Sequence, residues 1–236
     1  MNETTANAQG KALVLAPTAG SAYGFGWRTM KKYFLDLFLI ILILGAVLIP
    51  VGMIDSLDGN ETPGGVLLRI FSIGYLLVLF APITFGASWT FLRAIRGEKF
   101  DVKDTFSVFE SDFLNTVLAN LLQYAIIGIG MAFLVVPGVI FACRLAFVRY
   151  LVMDRKMDAV TAVKESWRMT RGHAGDIFVM GLYAFGILIA GAACFGVGII
   201  PAVIWIRAAF AAMYYAVSQG EAPGPAAASA GTQVEG

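Results

Sequence analysis

Two arginines, Arg144 and Arg207, lie inside long apolar segments of the sequence, where a cation is costly to bury. An arginine at mid-membrane costs roughly 2.5 to 3.5 kcal/mol on insertion scales, whereas a leucine returns only about 0.3 to 0.6 kcal/mol. Both follow a proline, in the similar stretches 137–144 and 201–207. Two readings stay open: the guanidinium groups bind an anionic lipid head group or phosphate, or they extend to the nearby membrane surface.

Two amides in the third apolar segment form a second candidate site. Asn120 and Gln123 are three residues apart and therefore share one face of a helix. They could line a polar path through the membrane. The commoner use of such residues is hydrogen bonding between neighbouring helices, and the sequence leaves both uses open.

The residues needed for catalysis or metal binding are scarce. His173 is the only histidine and could act as a base for Ser166 or Thr170, but no carboxylate occupies a triad-like position. Cys143 and Cys194 lie in apolar runs and form no metal-binding pattern. Known nucleotide-binding and hydrolase motifs do not occur. We therefore predict no catalytic residue, no metal and no cofactor, and we interpret His173 as a polar residue beside the membrane.

The composition is that of a membrane protein. Hydrophobic residues make up 58% of the 236 residues, charged residues make up 14%, and the mean hydropathy is +0.77. In soluble domains, about a quarter of the residues are charged. The net charge of +1 gives no electrostatic footprint for nucleic acid. The first apolar run lacks a cleavage site, so we expect it to remain as a membrane anchor.

Six segments are long and apolar enough to cross a bilayer, which takes about 20 residues. Their apolar character is continuous, unlike the alternation of barrel strands, so helices are predicted. The second is long enough that it must tilt, bend at Pro82 or protrude, and we expect Pro137-Gly138 to form the turn before the fourth. The predicted spans are Phe34–Ile54, Val66–Ala94, Phe113–Val136, Val139–Met153, Asp176–Val197 and Pro201–Val217. The predicted fold class is an all-α polytopic membrane protein.

Basic residues predict the orientation. Most of the 17 lysines and arginines fall in four clusters, around residues 11–32, 93–103, 149–156 and 164–171, whereas the loop 55–64 has acidic residues only. Because basic loops stay on the cytoplasmic side, we expect the N-terminus and both long basic loops there. An even number of spans returns the C-terminus to the same side.

Two stretches pair an apolar stripe with an acidic residue at a helix N-cap position. These are Asp101 before Val102, Phe106, Phe109 and Phe113, and Asp158 before Ala159, Val163 and Trp167. We expect amphipathic helices on the inner membrane surface, either as simple anchors between spans or as contacts for lipid head groups or a partner.

The chain also suggests three repeated helical hairpins, each preceded by an amphipathic segment. An aromatic residue precedes a polar one by nine positions three times: Trp27 and Asp36, Phe106 and Asn115, Trp167 and Asp176. In the first unit, Pro63 and Pro82 both remain candidates for the hairpin proline. Chance similarity between apolar hairpins is the alternative.

Rows of small residues at four-residue spacing predict that the fifth and sixth spans pack closely. The rows are Gly186, Ala190, Cys194 and Gly198 in the fifth span, and Ala208, Ala212 and Ala216 in the sixth.

The stretch 137–154, PGVIFACRLAFVRYLVMD, followed by 162–173, AVKESWRMTRGH, resembles the YciC-like bacterial inner-membrane proteins. It is also similar to the membrane domain attached to some glycerophosphodiester phosphodiesterases. The shared pattern ahead of the fifth span is Ala162, Ser166, Trp167, Thr170 and Gly172. The resemblance is strong over about forty residues, and the order of the helices fits across roughly residues 25 to 218. It implies a six-helix domain of a bacterial or archaeal cell membrane. It implies no reaction, and no stretch here suits the soluble barrel of those phosphodiesterases.

These observations predict a flexible segment over 1–22, a six-helix membrane domain over 23–218 and a disordered tail over 219–236. We expect a non-enzymatic, multi-pass protein of the cell (inner) membrane that serves lipid handling or envelope homeostasis. The alternative is a small transporter or channel built from repeated hairpins, with an intramembrane lipid enzyme as a third reading. Membrane lipids are the expected partners and nucleic acid is not; a homo-oligomer or a second membrane protein stays open.

Overall fold

The computed structural model describes residues 15–57, 63–111, 113–193 and 198–220, and these ranges contain helices and no β-strand. A π-helical turn at Leu76–Phe80 and a 3-10 turn at Val102–Phe106 accompany the α-helices. The α-helices are α1 (Ala19–Lys32), α2 (Phe34–Leu57), α3 (Pro63–Tyr75), α4 (Ala81–Arg96), α5 (Val108–Ser111), α6 (Phe113–Phe133), α7 (Val135–Arg144), α8 (Val148–Asp154), α9 (Ala159–Met169), α10 (Ala174–Ala193) and α11 (Ile199–Gly220). The predictions for Cys194 and for residues 221–236 lie outside the described ranges.

Six helical segments within the described ranges are long and apolar enough to cross a membrane, which confirms the predicted all-α, multi-pass architecture. Their outward faces remain apolar, as lipid requires: Leu35, Phe71 and Phe185 are each more than 60% exposed. The six spans are Phe34–Ile54, Gly64–Arg96, Phe113–Phe133, Val135–Asp154, Ala174–Ala193 and Ile199–Gly220.

The turn between the third and fourth spans lies at Leu134, so the predicted turn at Pro137-Gly138 is wrong. Leu134 has extended backbone, with φ −166° and ψ 147°, and α7 begins at the next residue. Pro137 therefore falls in the first helical turn, where a missing amide hydrogen costs no intrahelical hydrogen bond. Gly138 allows the two helices to approach, because a Cβ there would lie 2.9 Å from the Met131 backbone nitrogen.

The long second span changes its helical type just before Pro82. Proline has no amide hydrogen to donate and its ring crowds the carbonyl four residues earlier. The π-helical turn at Leu76–Phe80 widens the helix at this point, and the Ala81 N–H donates to the Leu76 carbonyl five residues earlier. The sequence predicted a bend at Pro82 but not this widened turn.

The N-terminal boundary of the folded domain lies earlier than predicted. Helix α1 begins at Ala19, and Ala19 and Ala22 are buried, so residues 19–22 belong to the fold and not to a flexible segment. The reason is that α1 packs along α11, which the sequence did not indicate. A Cβ on Gly26 would lie 2.8 Å from the Ala209 backbone nitrogen, so the two backbones nearly touch.

The element order repeats three times, as an amphipathic element followed by two spans. The 3-10 turn packs on α4, and α9 packs on α8, so each element covers the second span of the preceding hairpin. Helix α1 closes this ring by covering α11, the second span of the last hairpin. The arrangement supports the triplicated-hairpin hypothesis, and α3 begins at Pro63, which favours Pro63 over Pro82 as the hairpin proline of the first unit.

The second spans of the three hairpins meet at the centre of the molecule through α4, α8 and α11. Their ends are joined by one ionic cluster. Both terminal nitrogens of Arg96 donate to the carboxylate of Asp154, at 2.6 and 2.7 Å, and the Tyr214 hydroxyl donates to the same carboxylate at 2.8 Å. One residue from each central helix therefore fixes the bundle at its basic end.

The predicted contact between the small-residue rows of the fifth and sixth spans is only partly correct. Helices α10 and α11 do pack together, and Gly198 of the predicted row makes a close contact, but its partner is Gly191, where a Cβ would lie 2.7 Å from the Gly198 carbonyl oxygen. Gly186 and Ala190 are exposed. Ala208, Ala212 and Ala216 are buried, and α11 also packs against α1 and α4.

Candidate functional site

A cavity with two arginines lies between α4, α6, α8 and α11, and we call it the arginine cavity. It consists of two adjoining compartments of about 450 and about 390 Å³. The larger, α3-side compartment is also lined by Ile73 and the π-helical turn. The smaller, α7-side compartment is also lined by Ala142. Tyr124, Arg149 and Arg207 line both compartments, so the two cations stand at their junction.

The arginine cavity carries positive charge without a compensating acid. Arg207 Nη1 is buried and has no hydrogen-bond partner. The titratable groups that act electrostatically on Arg207 are Arg149, Tyr150 and Tyr124. Among the described residues, no aspartate or glutamate lines either compartment. Two like charges therefore share a largely apolar space, an arrangement that an anion would stabilise.

The α3-side compartment opens sideways, between α3 and α6. Two of its lining residues are well exposed, Ile73 at 58% and Tyr124 at 60%. Both belong to membrane-spanning segments. The mouth therefore faces the lipid that surrounds the spans, and the apolar residues Leu76, Leu77 and Phe80 line the way from it to the arginines.

A break in the fourth span presents Arg149 to the cavity. Helix α7 ends at Arg144 and α8 begins at Val148, so residues 145–147 are not helical. The break leaves backbone groups without partners inside the protein, which a membrane span tolerates only when other groups satisfy them. The Leu145 carbonyl is satisfied twice: it accepts the Val148 N–H at 3.3 Å and Gln123 Nε2 at 3.1 Å.

The Ser166 hydroxyl in α9 and the Thr170 hydroxyl just after its end contact backbone groups at the break. Ser166 Oγ donates to the Arg144 carbonyl at 2.8 Å and accepts from the Phe147 N–H at 3.3 Å. Thr170 Oγ1 lies 3.4 Å from the same Arg144 carbonyl and 2.8 Å from the Ser166 carbonyl. Both residues are fully buried. The interfacial motif therefore supports the broken helix that carries Arg149.

The rest of that motif holds α9 in place against α7. The Trp167 ring lies 5.6 Å from the Arg144 guanidinium carbon and 5.6 Å from the Phe141 ring centroid. Ala162 is fully buried, and Gly172 has φ +88°, a conformation that residues with a side chain rarely adopt. The glycine turns the chain from α9 into α10.

Helix α9 is also anchored at its start, as the sequence predicted. Asp158 caps it by accepting the Thr161 N–H at 3.1 Å, and hydrogen bonds from Thr161 lower the pKa of the Asp158 carboxyl. Asn115 bridges the preceding loop: its Nδ2 donates to the Met157 carbonyl and its Oδ1 accepts the Ala159 N–H, both at 2.8 Å. Asp101 likewise accepts the Lys103 N–H as an N-cap, but it caps the 3-10 turn. The continuous amphipathic helix predicted from Val102 to Phe113 is wrong, because this turn and the short α5 occupy that stretch and Phe113 begins α6.

The structure brings Arg207 together with Arg149 and places Arg144 elsewhere. Arg144 lies against Trp167, its Nε and Nη1 are buried without hydrogen-bond partners, and it does not line the arginine cavity. Asn120 lines the α3-side compartment and Gln123 lines the α7-side compartment. The two predicted amides thus flank the arginines, although the amide nitrogen of Gln123 is engaged by Leu145.

His173 is not paired with either hydroxyl that the sequence offered as its partner. Ser166 and Thr170 direct their hydroxyls to backbone atoms, as described above. His173 lines a separate cavity with Arg171 and Gln219 at the end of α11. The part of the chain that the structure describes holds no group of three or more potential metal ligands.

Arg149 is the functional candidate that the sequence analysis missed. Its position beside Arg155 and Lys156 indicates a basic flank of the membrane, although Arg149 lies within the predicted fourth span, Val139–Met153. That position was the available signal. No proline marks the break at residues 145–147 in the sequence, so the sequence does not predict which way the Arg149 side chain points.

Comparisons with protein-family models, with curated proteins and with solved structures find no match to this chain.

Proposed function

We propose that this protein is a non-enzymatic lipid-handling protein that binds the anionic head group of a membrane lipid in the arginine cavity. The observation that carries the proposal is the pair Arg149 and Arg207, which share a membrane-embedded cavity lined by no carboxylate among the described residues.

Charge and geometry both support an anionic ligand. A buried charged group without a partner costs several kcal/mol, so the unpartnered Arg207 Nη1 beside a second cation, Arg149, is an unfavourable arrangement that a bound anion would relieve. A guanidinium group also presents a planar fork of donors that matches the oxygens of a phosphate. The buried, unpartnered Arg207 Nη1 is such a donor.

The walls and the mouth of the cavity support a lipid as the bearer of that anion. About half of the residues that line each compartment are apolar, among them Leu77 and Phe80 in one and Ile127 and Phe210 in the other. The mouth between α3 and α6 opens to the surrounding bilayer. A head group can therefore reach the arginines while its hydrocarbon chains stay in apolar surroundings, without crossing water.

We further propose that the protein resides in the cell (inner) membrane of a prokaryote with its basic end in the cytoplasm. The ionic cluster at Arg96 and Asp154 and the basic helix α9 would then lie at the cytoplasmic side. The distribution of lysine and arginine supports this orientation. Membrane lipids are the proposed partners.

Mass spectrometry of the lipids retained after gentle extraction tests the proposal. The variants are Arg207→Gln and Arg149→Gln, and Arg28→Gln is the matched control because Arg28 is exposed on α1, outside the cavity. We expect anionic lipid to copurify with the wild type and with Arg28→Gln. Retention should fall about tenfold or more in each cavity variant, because one partner of a buried charge pair is lost.

Equal retention of anionic lipid by all four proteins would contradict the proposal. So would retention of zwitterionic lipids alone. Size-exclusion profiles of the variants establish that each is folded before its lipids are compared.

A second candidate function is transport of a small anion, and one observation favours it. The arginine pair stands at the junction of two compartments, as expected for a binding site reached from two directions. Uptake of radioactive phosphate or sulfate into proteoliposomes tests this candidate. Uptake that Arg207→Gln abolishes and Arg28→Gln preserves would favour the transporter over the lipid-handling protein.

A further inference from the structure

We infer that the ligand of the arginine cavity is a lipid ending in a phosphate monoester, which carries nearly two negative charges, and not a phosphodiester lipid, which carries one. This inference rests on the proposed function and specifies its substrate class. The observation behind it is the number of cations at the junction together with the chemistry of the walls around them.

The count of charges favours a dianion. Arg149 and Arg207 both line the junction, and no carboxylate lines either compartment among the described residues. Asp154, which lies in the same helix as Arg149, is already bonded to Arg96 and Tyr214. A phosphate monoester has a charge of about −1.5 to −2 at pH 7 and balances both guanidinium groups. A phosphodiester would leave one of them uncompensated.

The walls disfavour the substituents that phosphodiester lipids carry on their phosphate. An ammonium head group would enter a cavity with two arginines and find no carboxylate to pair with. A polyol head group would find polar side chains such as Asn120 and Tyr124 beside apolar ones such as Leu77, but it would bring no second negative charge to the two arginines. The hydroxyls of Thr84 and Ser88 already donate to carbonyls of their own helix, so they could only accept hydrogen bonds from it.

The donors at the junction suit a terminal phosphate. Two guanidinium forks can together engage the three non-bridging oxygens of a monoester from two sides. They come from α8 and α11, two of the central helices that the Asp154 cluster holds together. Tyr124 stands beside them at the mouth and belongs to α6. A bare phosphate at the end of a hydrocarbon chain would fill the junction, with its chain directed through the lateral mouth.

The test is a binding measurement on the full chain in phosphatidylcholine nanodiscs. The probes are phosphatidic acid, a monoester lipid, and phosphatidylglycerol, a diester lipid, at equal mole fractions, with inorganic phosphate added separately to distinguish a free anion from a lipid. We expect the wild type to prefer phosphatidic acid by about tenfold or more. Inorganic phosphate at the same concentration should not displace it, because it gains nothing from the apolar walls.

Two further readouts belong to this inference alone. Arg149→Gln leaves one cation in the cavity, so both lipids should bind it more weakly than they bind the wild type, and the preference for phosphatidic acid over phosphatidylglycerol should be lost. Lowering the pH from about 7.5 to about 5.5 protonates a monoester, whose second pKa is about 6, while arginine stays charged. Binding of phosphatidic acid should therefore weaken with acid, and binding of phosphatidylglycerol should not.

The outcomes separate the two claims. If both lipids bind equally and Arg207→Gln abolishes both, the lipid-handling function stands and the monoester inference is overturned. If neither lipid depends on Arg149 or Arg207, both fall. If inorganic phosphate displaces the lipid at equal concentration, the ligand is the free anion and the inference of a lipid is overturned. Arg28→Gln serves as the folded control throughout.

Discussion

At the scale of single residues, Ser166 shows how one hydroxyl supports a site that it does not line. It bonds the Arg144 carbonyl and the Phe147 amide across the break in the fourth span. Without Ser166 the Phe147 amide would lose this partner, and the Arg144 carbonyl would keep only Thr170 Oγ1 at 3.4 Å. A backbone group left without a partner in a protein interior costs about 1 to 3 kcal/mol. The direction of the Arg149 side chain depends on that break. Ser166 therefore affects the arginine cavity by supporting the helix that carries Arg149.

We expect Ser166→Ala to lower the free energy of unfolding by about 1 to 3 kcal/mol, since the Phe147 amide loses its partner and the Arg144 carbonyl keeps only the longer contact with Thr170. Thermal unfolding in detergent measures the loss. Ser72→Ala is the matched control: Ser72 donates only to the Leu68 carbonyl of its own helix, so its removal should cost no more than about 0.5 kcal/mol. Equal melting temperatures for the two variants would contradict the supporting role of Ser166.

The cap of α9 gives a second prediction at this scale. Asp158→Ala removes the acceptor of the Thr161 N–H and should cost about 1 kcal/mol, because the amide at the helix start loses its partner. Asp158→Asn keeps a side-chain oxygen at the N-cap and should restore most of the stability. The same thermal measurement compares them, and an asparagine variant as unstable as the alanine variant would exclude capping as the cause.

At the scale of elements, α9 is fastened to the segment that follows α8 by Glu165. Its carboxylate accepts hydrogen bonds from Arg168 at 2.7 and 2.8 Å and from Arg155 at 3.1 Å. The hydrogen bond to Arg168 and the charges of Arg168 and Arg155 lower the pKa of Glu165. A carboxyl whose pKa is lowered by folding stabilises the fold above its unfolded pKa of about 4.3, and this contribution is lost as the pH falls through the lower folded value.

We therefore expect the wild-type melting temperature to fall more steeply than that of Glu165→Gln as the pH drops below about 4.3, because the glutamine has no charge to lose. Glu98→Gln is the control, since Glu98 makes a longer contact of 3.5 Å with Arg93 and is 44% exposed. Parallel melting curves for the wild type and Glu165→Gln across this range would contradict the prediction.

The contact between α1 and α11 depends on Gly26. We expect Gly26→Leu to destabilise the protein by about 1 to 3 kcal/mol, because a side chain there collides with the Ala209 backbone. Gly24→Leu is the control on the same helix, since a Cβ at Gly24 meets no atom within 4 Å. Thermal unfolding measures the loss of stability in both variants. Similar losses in Gly26→Leu and Gly24→Leu would mean that helix propensity, and not packing against α11, is responsible.

At the scale of the whole molecule, the orientation of the bundle is open to direct measurement. In a background with Cys143→Ser and Cys194→Ala, we introduce Gly64→Cys, Lys99→Cys and Lys164→Cys. A thiol reagent that cannot cross the membrane should label Gly64→Cys from outside intact cells and leave the other two unlabelled, because basic segments are retained in the cytoplasm. Labelling of Lys99→Cys and Lys164→Cys alone would invert the proposed topology.

The sequence predicted what depends on composition and local pattern, and missed what depends on contacts between distant elements. The spans and the caps at Asp101 and Asp158 follow from apolar length and from one side chain's reach to a nearby amide. The π-helical turn and the break at residues 145–147 do not, since a hydroxyl from α9 and an amide from α6 decide whether the break can exist. Arg207 was therefore predictable as a site residue, and Arg149 was not.

The pairing of α1 with α11 has a consequence for biosynthesis. The ribosome makes α1 before α11, and at ordinary elongation rates roughly 10 to 40 seconds separate the two. Until then α1 has only the bilayer surface to cover Ala22 and Gly26, and the nascent bundle stays open on one side. A transcript truncated before Ile199 would yield a protein with five spans in which α1 lacks its partner helix. Membrane proteases recognise and remove products of this kind.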